Sequence, residues 1–342
     1  MEPPDKGQRR QARGVPPPSA DESATMKNAD RFAEDLKRYG PGVVPARPLG
    51  PRAARRYCRR LARRHYENFT VAGFLLPRRL HRPFHAVYAY CRWADDLADE
   101  TGDPARSMAL LKWWEQQLRA CYQGQAVHPV FIALGETIRR FDLPIDPLVD
   151  LLVAFRQDQR TTRYETFDQL LDYCRYSANP VGRLVLHLGG SFDAETARLS
   201  DSICTGLQLA NFWQDVARDW DRGRIYLPEA HRRRFGYDES CFERRECNEA
   251  FRHMMAAEVE EAENWLRRGW PLVGRVDPDL RLAVTLFLRG GLAILDGIRR
   301  QDFDVWTKRP EVGKWRKLVL TVDSWWRLWR GKEMGEGLGI RD

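Results

Sequence analysis

The sequence has no long apolar run and no apolar segment near its start. The stretch from Leu282 to Leu288 ends at Arg289, far short of the roughly 20 residues that cross a bilayer as a helix. The residues after Met1 are mostly polar or proline, unlike the apolar core of a secretory signal. We therefore expect a cytoplasmic protein without an integral membrane segment.

The sequence also lacks cysteines at the spacing of metal or disulfide motifs. Its seven cysteines are scattered, without a CxxC pair or a combination with histidine that is typical of zinc sites. An odd number of scattered thiols is typical of a reducing compartment. These absences argue against a zinc-stabilised or disulfide-stapled domain and agree with a cytoplasmic location.

Strand patterns, in which apolar and polar residues alternate, are not found over any convincing length. Instead, apolar residues from about residue 53 to 328 recur at helical spacing, as in Leu110, Leu111, Trp114 and Leu118. Prolines divide this pattern into helices of ordinary length, at Pro104, Pro129, Pro144, Pro228, Pro271 and Pro278. The pattern predicts an all-α fold, a helical bundle with its core between the helices.

Proline is concentrated at one end of the chain. Nine of the 20 prolines fall within the first 51 residues, among polar and charged neighbours. We expect residues 1–52 to be a flexible, proline-rich extension. Residues 53–312 are predicted to form the all-α domain, and residues 313–342 a helix and tail rich in tryptophan and basic residues.

The net charge of +8 comes from 56 basic and 48 acidic residues. Such an excess fits an anionic partner, which is a nucleic acid, a membrane surface or a phosphorylated substrate. Nucleic acid is disfavoured because no helix-turn-helix, zinc or RNA-binding signature occurs. A basic stripe at three- and four-residue spacing lies on the first predicted helix of the domain, formed by Arg52, Arg55, Arg56, Arg59, Arg60, Arg63 and Arg64. This stripe is either a solvated face or a surface that attracts anionic lipid or substrate.

The C-terminal segment 313–342 combines tryptophans with lysines and arginines at helical spacing. This composition is typical of a helix at a membrane surface. Packing of the segment against its own domain explains it equally well. Contact with a membrane surface, and with neighbouring enzymes of a pathway, therefore stays open at this point.

Two acidic motifs are the main indication of function. Asp95 and Asp99 lie four residues apart, as do Asp215 and Asp219, and Asn211 precedes Asp215 by one turn. Residues four apart share a helix face. Mg²⁺ prefers oxygen ligands and is usually held by one or two carboxylates together with substrate phosphates. Because both motifs follow apolar and aromatic runs, we predict an inward-facing cradle for Mg²⁺ and a diphosphate, with a purely structural acidic face as the alternative.

Two further strings accompany the acidic motifs, YCRYSANPVG at residues 173–182 and RGRIYLP at residues 222–228. Over roughly residues 57–310, this combination resembles the squalene and phytoene synthase family. Within the family, the strings NPVGR and NFWQDV are most similar to bacterial hydroxysqualene synthases of the hopanoid pathway. The resemblance implies hydrolytic conversion of presqualene diphosphate to hydroxysqualene.

The resemblance also implies a fold and a set of metal ligands. The fold would be a single isoprenoid synthase (terpenoid synthase) bundle around a central cavity, with three Mg²⁺ ions at its mouth. The metal ligands would be Asp95 and Asp99 of the first motif and Asn211, Asp215 and Asp219 of the second.

Further roles are carried over from the resemblance to matching positions. Arg92, Arg224 and Arg309 would bind the substrate diphosphate, since a guanidinium offers two parallel donors to a phosphate. Tyr173 would line the reaction centre, unless it is only a core aromatic residue. Asn179 is our candidate for placing the water that the product requires.

Departures from the family pattern indicate the subtype. Residues 66–69 read YENF where condensing members carry a serine-basic-serine-phenylalanine phosphate site, and Gly291 stands where many carry a phosphate-binding tyrosine. Fewer phosphate contacts favour a single diphosphate substrate, and we expect no requirement for NADPH. The alternatives are a head-to-head condensing enzyme, which forms presqualene diphosphate, squalene or phytoene, and a non-catalytic helical member of an assembly.

Overall fold

The computed structural model describes residues 20–43, 49–64, 76–311 and 313. The chain divides into two compact units, Met1–Val44 and Pro45–Asp342. The described part of the first unit contains one helix, α1 (Ala20–Tyr39).

The described residues of the second unit form fourteen helices. In chain order they are α2 (Pro51–Arg64), α3 (Arg78–Asp99), α4 (Pro104–Tyr122), α5 (Pro129–Phe141), α6 (Asp146–Gln157), α7 (Phe167–Ser177), α8 (Asn179–Gly189), α9 (Ala194–Gln214), α10 (Val216–Asp221), α11 (Glu229–Phe235), α12 (Glu239–Glu243), α13 (Glu249–Arg268), α14 (Leu272–Arg275) and α15 (Pro278–Arg300). No strand occurs in the described ranges, and Arg163 and Ile225 form an isolated parallel bridge. The prediction of an all-α fold is confirmed.

Proline marks the start of several helices, as the sequence predicts. Pro104, Pro129 and Pro278 lie in the first turn of α4, α5 and α15. At this position the missing N–H loses no hydrogen bond, and the fixed φ angle suits the helix. The residue before each proline caps the helix: its side chain accepts a hydrogen bond from the backbone N–H of the residue after the proline. These capping residues are Asp103, His128 and Asp277. These helix starts are therefore encoded locally.

Regular structure begins earlier than the proline content predicts. The segment expected to be a flexible extension, residues 1–52, contains α1 (Ala20–Tyr39), and α2 begins at Pro51 within the same segment. No proline lies between Pro18 and Pro41, where alanine, glutamate and lysine recur, and these residues favour helix formation. The proline count of the whole segment thus concealed a helix-forming stretch. The domain boundaries themselves stay a prediction.

A buried aromatic cluster between α3, α4 and α5 orients the end of α3. The rings of Trp93 and Trp114 stack with their centroids 5.2 Å apart, and the ring of Phe131 lies 4.4 Å from that of Trp114. Both tryptophans are fully buried. Because Trp93 points into this cluster, Asp95 and Asp99 lie on a different face of α3. The aromatic core thus fixes the direction in which the first acidic motif points.

The second acidic motif begins at Asn211 near the end of α9 and continues into α10, and α9 packs against α8, α13 and α15. The approach of α15 is close at Gly291, where an added Cβ would lie 2.8 Å from Leu207 Cδ2. Leu207 precedes Asn211 by one turn. Close helix packing is therefore a sufficient reason for glycine at the position where the resemblance leads one to expect tyrosine.

None of the described helices is both long enough and apolar enough to cross a bilayer. All seven cysteines lie in the described ranges, and each is free. The string at residues 66–69 and the tryptophan-rich segment 314–342 lie outside the described residues.

Candidate active site

The first acidic motif forms a compact charge network at the end of α3. Arg92 Nη1 donates to Asp95 Oδ2 at 2.9 Å, and Arg92 Nη2 donates to Asp96 Oδ1. Burial raises the pKa of Asp96 to about 7, and Asp95 adds to this shift, whereas Arg92 opposes it. One guanidinium therefore partly neutralises two neighbouring carboxyl groups.

The second acidic motif spans the junction of α9 and α10. The N–H of Asp215 donates to the carbonyl of Asn211, and the N–H of Asp219 donates to the carbonyl of Asp215, both at 2.9 Å. The one-turn hydrogen-bond pattern therefore continues through the junction although α9 ends at Gln214. The three predicted ligands follow one another at one-turn intervals, as the sequence predicts.

Arg309 reaches the second motif from beyond the last long helix. Its Nε donates to Asp215 Oδ1 at 2.5 Å, and its Nη2 donates to Asp215 Oδ2 at 2.9 Å. This bidentate ion pair joins residues that are 94 positions apart in the chain. Arg309 thus lies at the second motif, and its role in binding diphosphate stays a prediction.

Two loops bring the acidic motifs to the same place. The N–H of Ile225 donates to the carbonyl of Thr162 at 2.9 Å, and Gly223, at φ +74°, adopts the left-handed turn that glycine allows. This arrangement positions Arg224, whose Nη2 lies 3.7 Å from Asp99 Oδ1. Arg224, which follows the second motif, therefore contacts Asp99 of the first motif. Asp99 precedes Asp219, the equivalent residue of the second motif, by 120 residues.

Within each motif, burial and the neighbouring acids raise the pKa of an aspartate. Burial, followed by Asp99 and Glu100, raises the pKa of Asp95 to about 6, against the effect of Arg92 and Arg222. The pKa of Asp219 is raised to about 7 by burial and by Asp215, although Arg222, Arg224 and Arg309 oppose the shift. The nearby arginines thus compensate the negative charge of these carboxylates only in part. A divalent cation would supply the remaining positive charge.

The donor set suits Mg²⁺ only in combination with a ligand. Within the described residues, no three histidine, cysteine, aspartate or glutamate side chains are grouped closely enough to hold a metal ion by themselves. Mg²⁺ keeps several waters and takes one or two carboxylates together with substrate phosphates. Aspartate oxygens on two sides of an open site fit that requirement, so the predicted ligands stay candidates for Mg²⁺ bound with a diphosphate.

Tyr173 is buried beside a carboxyl group that the sequence analysis missed. Its hydroxyl donates to Asp158 Oδ2 at 3.1 Å. Burial raises the pKa of Asp158 to about 6, the hydrogen bond from Tyr173 and the charge of Arg224 lower it, and Asp99 and Asp95 raise it further. Asp158 therefore connects Tyr173 electrostatically to the first motif and to Arg224.

A sequence signal for Asp158 did exist. Val149, Leu152 and Phe155 mark the apolar face of α6, and Asp158 follows Phe155 at the same three-residue spacing, directly after the helix ends. An acid that continues an apolar face is the same signal that identified the two acidic motifs. It was missed because a single carboxylate has no partner at i+4.

Aromatic rings surround Tyr173. The rings of Phe212 and Tyr226 stack with centroids 3.9 Å apart, and the rings of Tyr164 and Tyr173 lie 5.6 Å apart. A cavity of about 10 Å³ is lined by Phe212 and Tyr226 together with Asp219 and Arg224, a volume close to that of one water. The aromatic cluster thus borders the charged groups directly.

Asn179 is buried at the start of α8, where its Oδ1 accepts a hydrogen bond from Thr205 Oγ1 at 3.1 Å. This bond joins α8 to α9 six residues before Asn211. The contact is structural in character, and the role of Asn179 in placing water stays a prediction.

Comparison with known proteins agrees with this geometry. Residues 62–316 match the model of the family described as squalene/phytoene synthase. Over 275 residues, 77% of this chain and 89% of the relative, the chain is 30% identical to phytoene synthase of Arthrospira platensis.

Two crystal structures share the fold. That of squalene synthase HpnC from Alicyclobacillus acidocaldarius is 45% identical, with a TM-score of 0.71, over 75% of this chain and 97% of that one. That of a dehydrosqualene synthase with ligand is 26% identical, with a TM-score of 0.75, over 82% of this chain and 98% of that one. The chain therefore belongs to the squalene/phytoene synthase family of isoprenoid synthases.

Proposed function

We propose that this protein is a Mg²⁺-dependent hydroxysqualene synthase that converts presqualene diphosphate to hydroxysqualene and diphosphate. The observation that carries the proposal is the meeting of both acidic motifs with three arginines beside a buried aromatic cluster. Such a site offers positive charge to a leaving diphosphate and aromatic faces to a carbocation. The 45% identity to the squalene synthase HpnC structure, against 30% to phytoene synthase, favours a C30 substrate.

Ligand binding would exchange the partners of the arginines. In the structure each predicted diphosphate-binding arginine faces an acid, in the pairs Arg92 with Asp95, Arg224 with Asp99 and Arg309 with Asp215. Bound Mg²⁺ would neutralise the carboxylates and stabilise negative charge on the leaving group. The arginines can then donate to phosphate oxygens, which match a guanidinium as well as a carboxylate does. The arginines therefore have a charged partner both before and after the substrate arrives.

The aromatic cluster suits the cation that remains after diphosphate departs. The carbon–oxygen bond breaks, and its electron pair leaves with the diphosphate. Each aromatic face that meets the cyclopropylcarbinyl cation can stabilise it by about 0.5–2 kcal/mol. Tyr173 directs its hydroxyl hydrogen to Asp158, so the tyrosine oxygen and ring present electron density to the cation.

Addition of one water to the carbocation completes the reaction. The oxygen of one water forms the new carbon–oxygen bond, and one of its protons passes to a base. Asp158, with a pKa of about 6, is ionised at neutral pH and can receive that proton through Tyr173. The water is placed either by Asn179 or in the cavity beside Asp219 and Arg224, which has room for about one molecule.

A second candidate function is head-to-head condensation of two prenyl diphosphates. The phytoene synthases among the relatives favour it, since the chain aligns with 89% of the Arthrospira platensis enzyme. The string at residues 66–69, which distinguishes the candidates in the sequence, lies outside the described residues.

Product analysis decides between the two candidates. Purified protein incubated with Mg²⁺ and presqualene diphosphate, without NADPH, is expected to release hydroxysqualene and diphosphate. Parallel incubations with farnesyl or geranylgeranyl diphosphate alone should give no presqualene diphosphate or phytoene. Products are identified by mass spectrometry, and omission of Mg²⁺ serves as the control. Condensed product from an allylic diphosphate, or no turnover of presqualene diphosphate, would contradict the proposal.

The hydrogen bond between Tyr173 and Asp158 gives a separate prediction. Tyr173→Phe and Asp158→Asn are each expected to lower kcat for presqualene diphosphate by about a hundredfold or more with little change in KM, an effect typical of groups that transfer a proton. Because the two groups act through one hydrogen bond, the double variant should lose little more than the worse single variant.

Tyr122→Phe is the matched control for this cycle. Tyr122 is also partly buried, and its hydroxyl donates to the carbonyl of Leu143 at 2.9 Å, outside the candidate site. Its kcat should be unchanged. Fully additive losses from Tyr173→Phe and Asp158→Asn would show that the reaction does not use their hydrogen bond.

A further inference from the structure

A large groove lies between α2, α3 and α5, outside the candidate active site. Its volume is about 800 Å³, within the range of small-molecule sites. Arg82 marks the groove on α3 and precedes Asp95 by 13 residues, about 20 Å along the helix axis. The groove is therefore a separate feature of the same domain.

The lining of the groove is strongly cationic. It includes one acid, Glu136, and seven arginines, namely Arg52, Arg55, Arg56, Arg59, Arg82, Arg139 and Arg140. Arg55 Nη1 lies 2.7 Å from both oxygens of Glu136, so this acid is already paired. Within the described part of the chain, the other six arginines have no carboxylate at ion-pair distance. The positive charge gathered here is thus available to a ligand.

The floor of the groove is partly apolar. Pro83, Ala133 and Phe141 line it together with the aliphatic stems of the arginines. Burial, His81 and the nearby arginines lower the pKa of His85 to about 4, so this side chain is neutral near pH 7. A ligand that fits must therefore carry concentrated negative charge, and the apolar part of the lining leaves room for uncharged atoms beside it.

We propose that the groove between α2, α3 and α5 binds phosphate esters, with arginines from three helices donating to the phosphate oxygens. A guanidinium presents two parallel donors to a phosphate, and this geometry accounts for arginine in place of lysine. The phosphate comes either from the headgroup of an anionic phospholipid or from a soluble phosphorylated compound. The groove lies outside the candidate active site, so the proposal of a phosphate-ester site in the groove does not depend on the proposed reaction.

Binding of two probes by the full-length protein tests the site. The first probe is a vesicle of phosphatidylcholine containing phosphatidylglycerol, measured by cosedimentation at low salt. The second is inorganic diphosphate, measured by calorimetry with EDTA present so that no metal occupies the active site. The groove variants are R56Q/R59Q and R139Q/R140Q. Each should weaken binding by about tenfold or more, since a basic residue near an anionic surface contributes about fivefold to binding.

The same helix supplies a matched control, R60Q/R64Q. It removes the same charge from α2 at exposed positions that do not line the groove, so wild-type binding is expected. Circular dichroism and thermal melting verify that all variants fold. A loss confined to vesicles assigns the site to a lipid headgroup, and a loss confined to diphosphate assigns it to a soluble ligand.

Two outcomes would overturn the proposal. In the first, the wild-type protein binds neither probe at low salt. In the second, R60Q/R64Q loses as much affinity as the groove variants, which would reduce the effect to net charge. Neither measurement involves turnover, so a failed activity assay leaves this test unaffected.

Discussion

Asp215→Asn is expected to lower kcat/KM for presqualene diphosphate by about a hundredfold to a thousandfold, the range seen when one preorganised stabilising group is removed. Asparagine keeps the shape of the side chain but removes the charge that a hard divalent cation requires. High Mg²⁺ should restore part of the activity, because the defect lies in metal affinity. The measurement is a steady-state titration of Mg²⁺ at fixed substrate concentration.

The chain offers a closely matched control for this substitution. Asp201 lies on α9, the helix before the junction that holds Asp215, and it accepts two hydrogen bonds from Arg183, from Nε at 3.0 Å and from Nη2 at 2.6 Å. Its side chain is 20% exposed, against 23% for Asp215. Asp201→Asn therefore breaks an equivalent ion pair outside the site and should leave kcat/KM unchanged. Equal losses in the two variants would assign the effect to helix stability.

Arg309→Gln is expected to lower kcat/KM by about a hundredfold, because it removes a positive charge and two donors from the leaving diphosphate. Arg309→Lys should recover only part of this loss, since an ammonium keeps the charge without the paired geometry. Without Mg²⁺, Arg309→Gln also leaves Asp215 beside Asp219 without its counterion, so both variants should be compared by thermal melting.

Arg183→Gln is the control for Arg309, since it breaks the equivalent ion pair between Arg183 of α8 and Asp201 of α9. Turnover by this variant should match the wild type. If Arg309→Gln also kept normal kcat/KM, its contact with Asp215 would be structural and the diphosphate would have to bind elsewhere.

The features that sequence reasoning predicted are those encoded within one or two helical turns. The spacing of Asp95 and Asp99, like that of Asp215 and Asp219, is a local property of a helix. The same is true of prolines at helix starts. The helical spacing of apolar residues and the positions of the prolines were therefore sufficient to predict the all-α fold. The apolar runs before both motifs supplied the expectation that the motifs form one cradle, and the resemblance to the family implied the same arrangement.

The features that the sequence did not reveal depend on contacts between distant segments. Asp158 belongs to the site through its contact with Tyr173 and its closeness to Arg224, and its position at the end of the apolar face of α6 does not by itself indicate these neighbours. The arginines of α2 were visible as a stripe, but the groove requires α3 and α5 to supply its other walls. The helix at Ala20–Tyr39 was missed for a different reason, because composition was averaged over too long a segment.

The pairing of Arg309 with Asp215 has a consequence for the order of events during synthesis. The candidate site draws on segments that the ribosome makes in turn, from Arg92 near the first motif to Arg309 after α15. A nascent chain that lacks Arg309 carries both acidic motifs without the arginine that pairs with Asp215. Translation thus delays completion of the candidate site until nearly the whole bundle has been made.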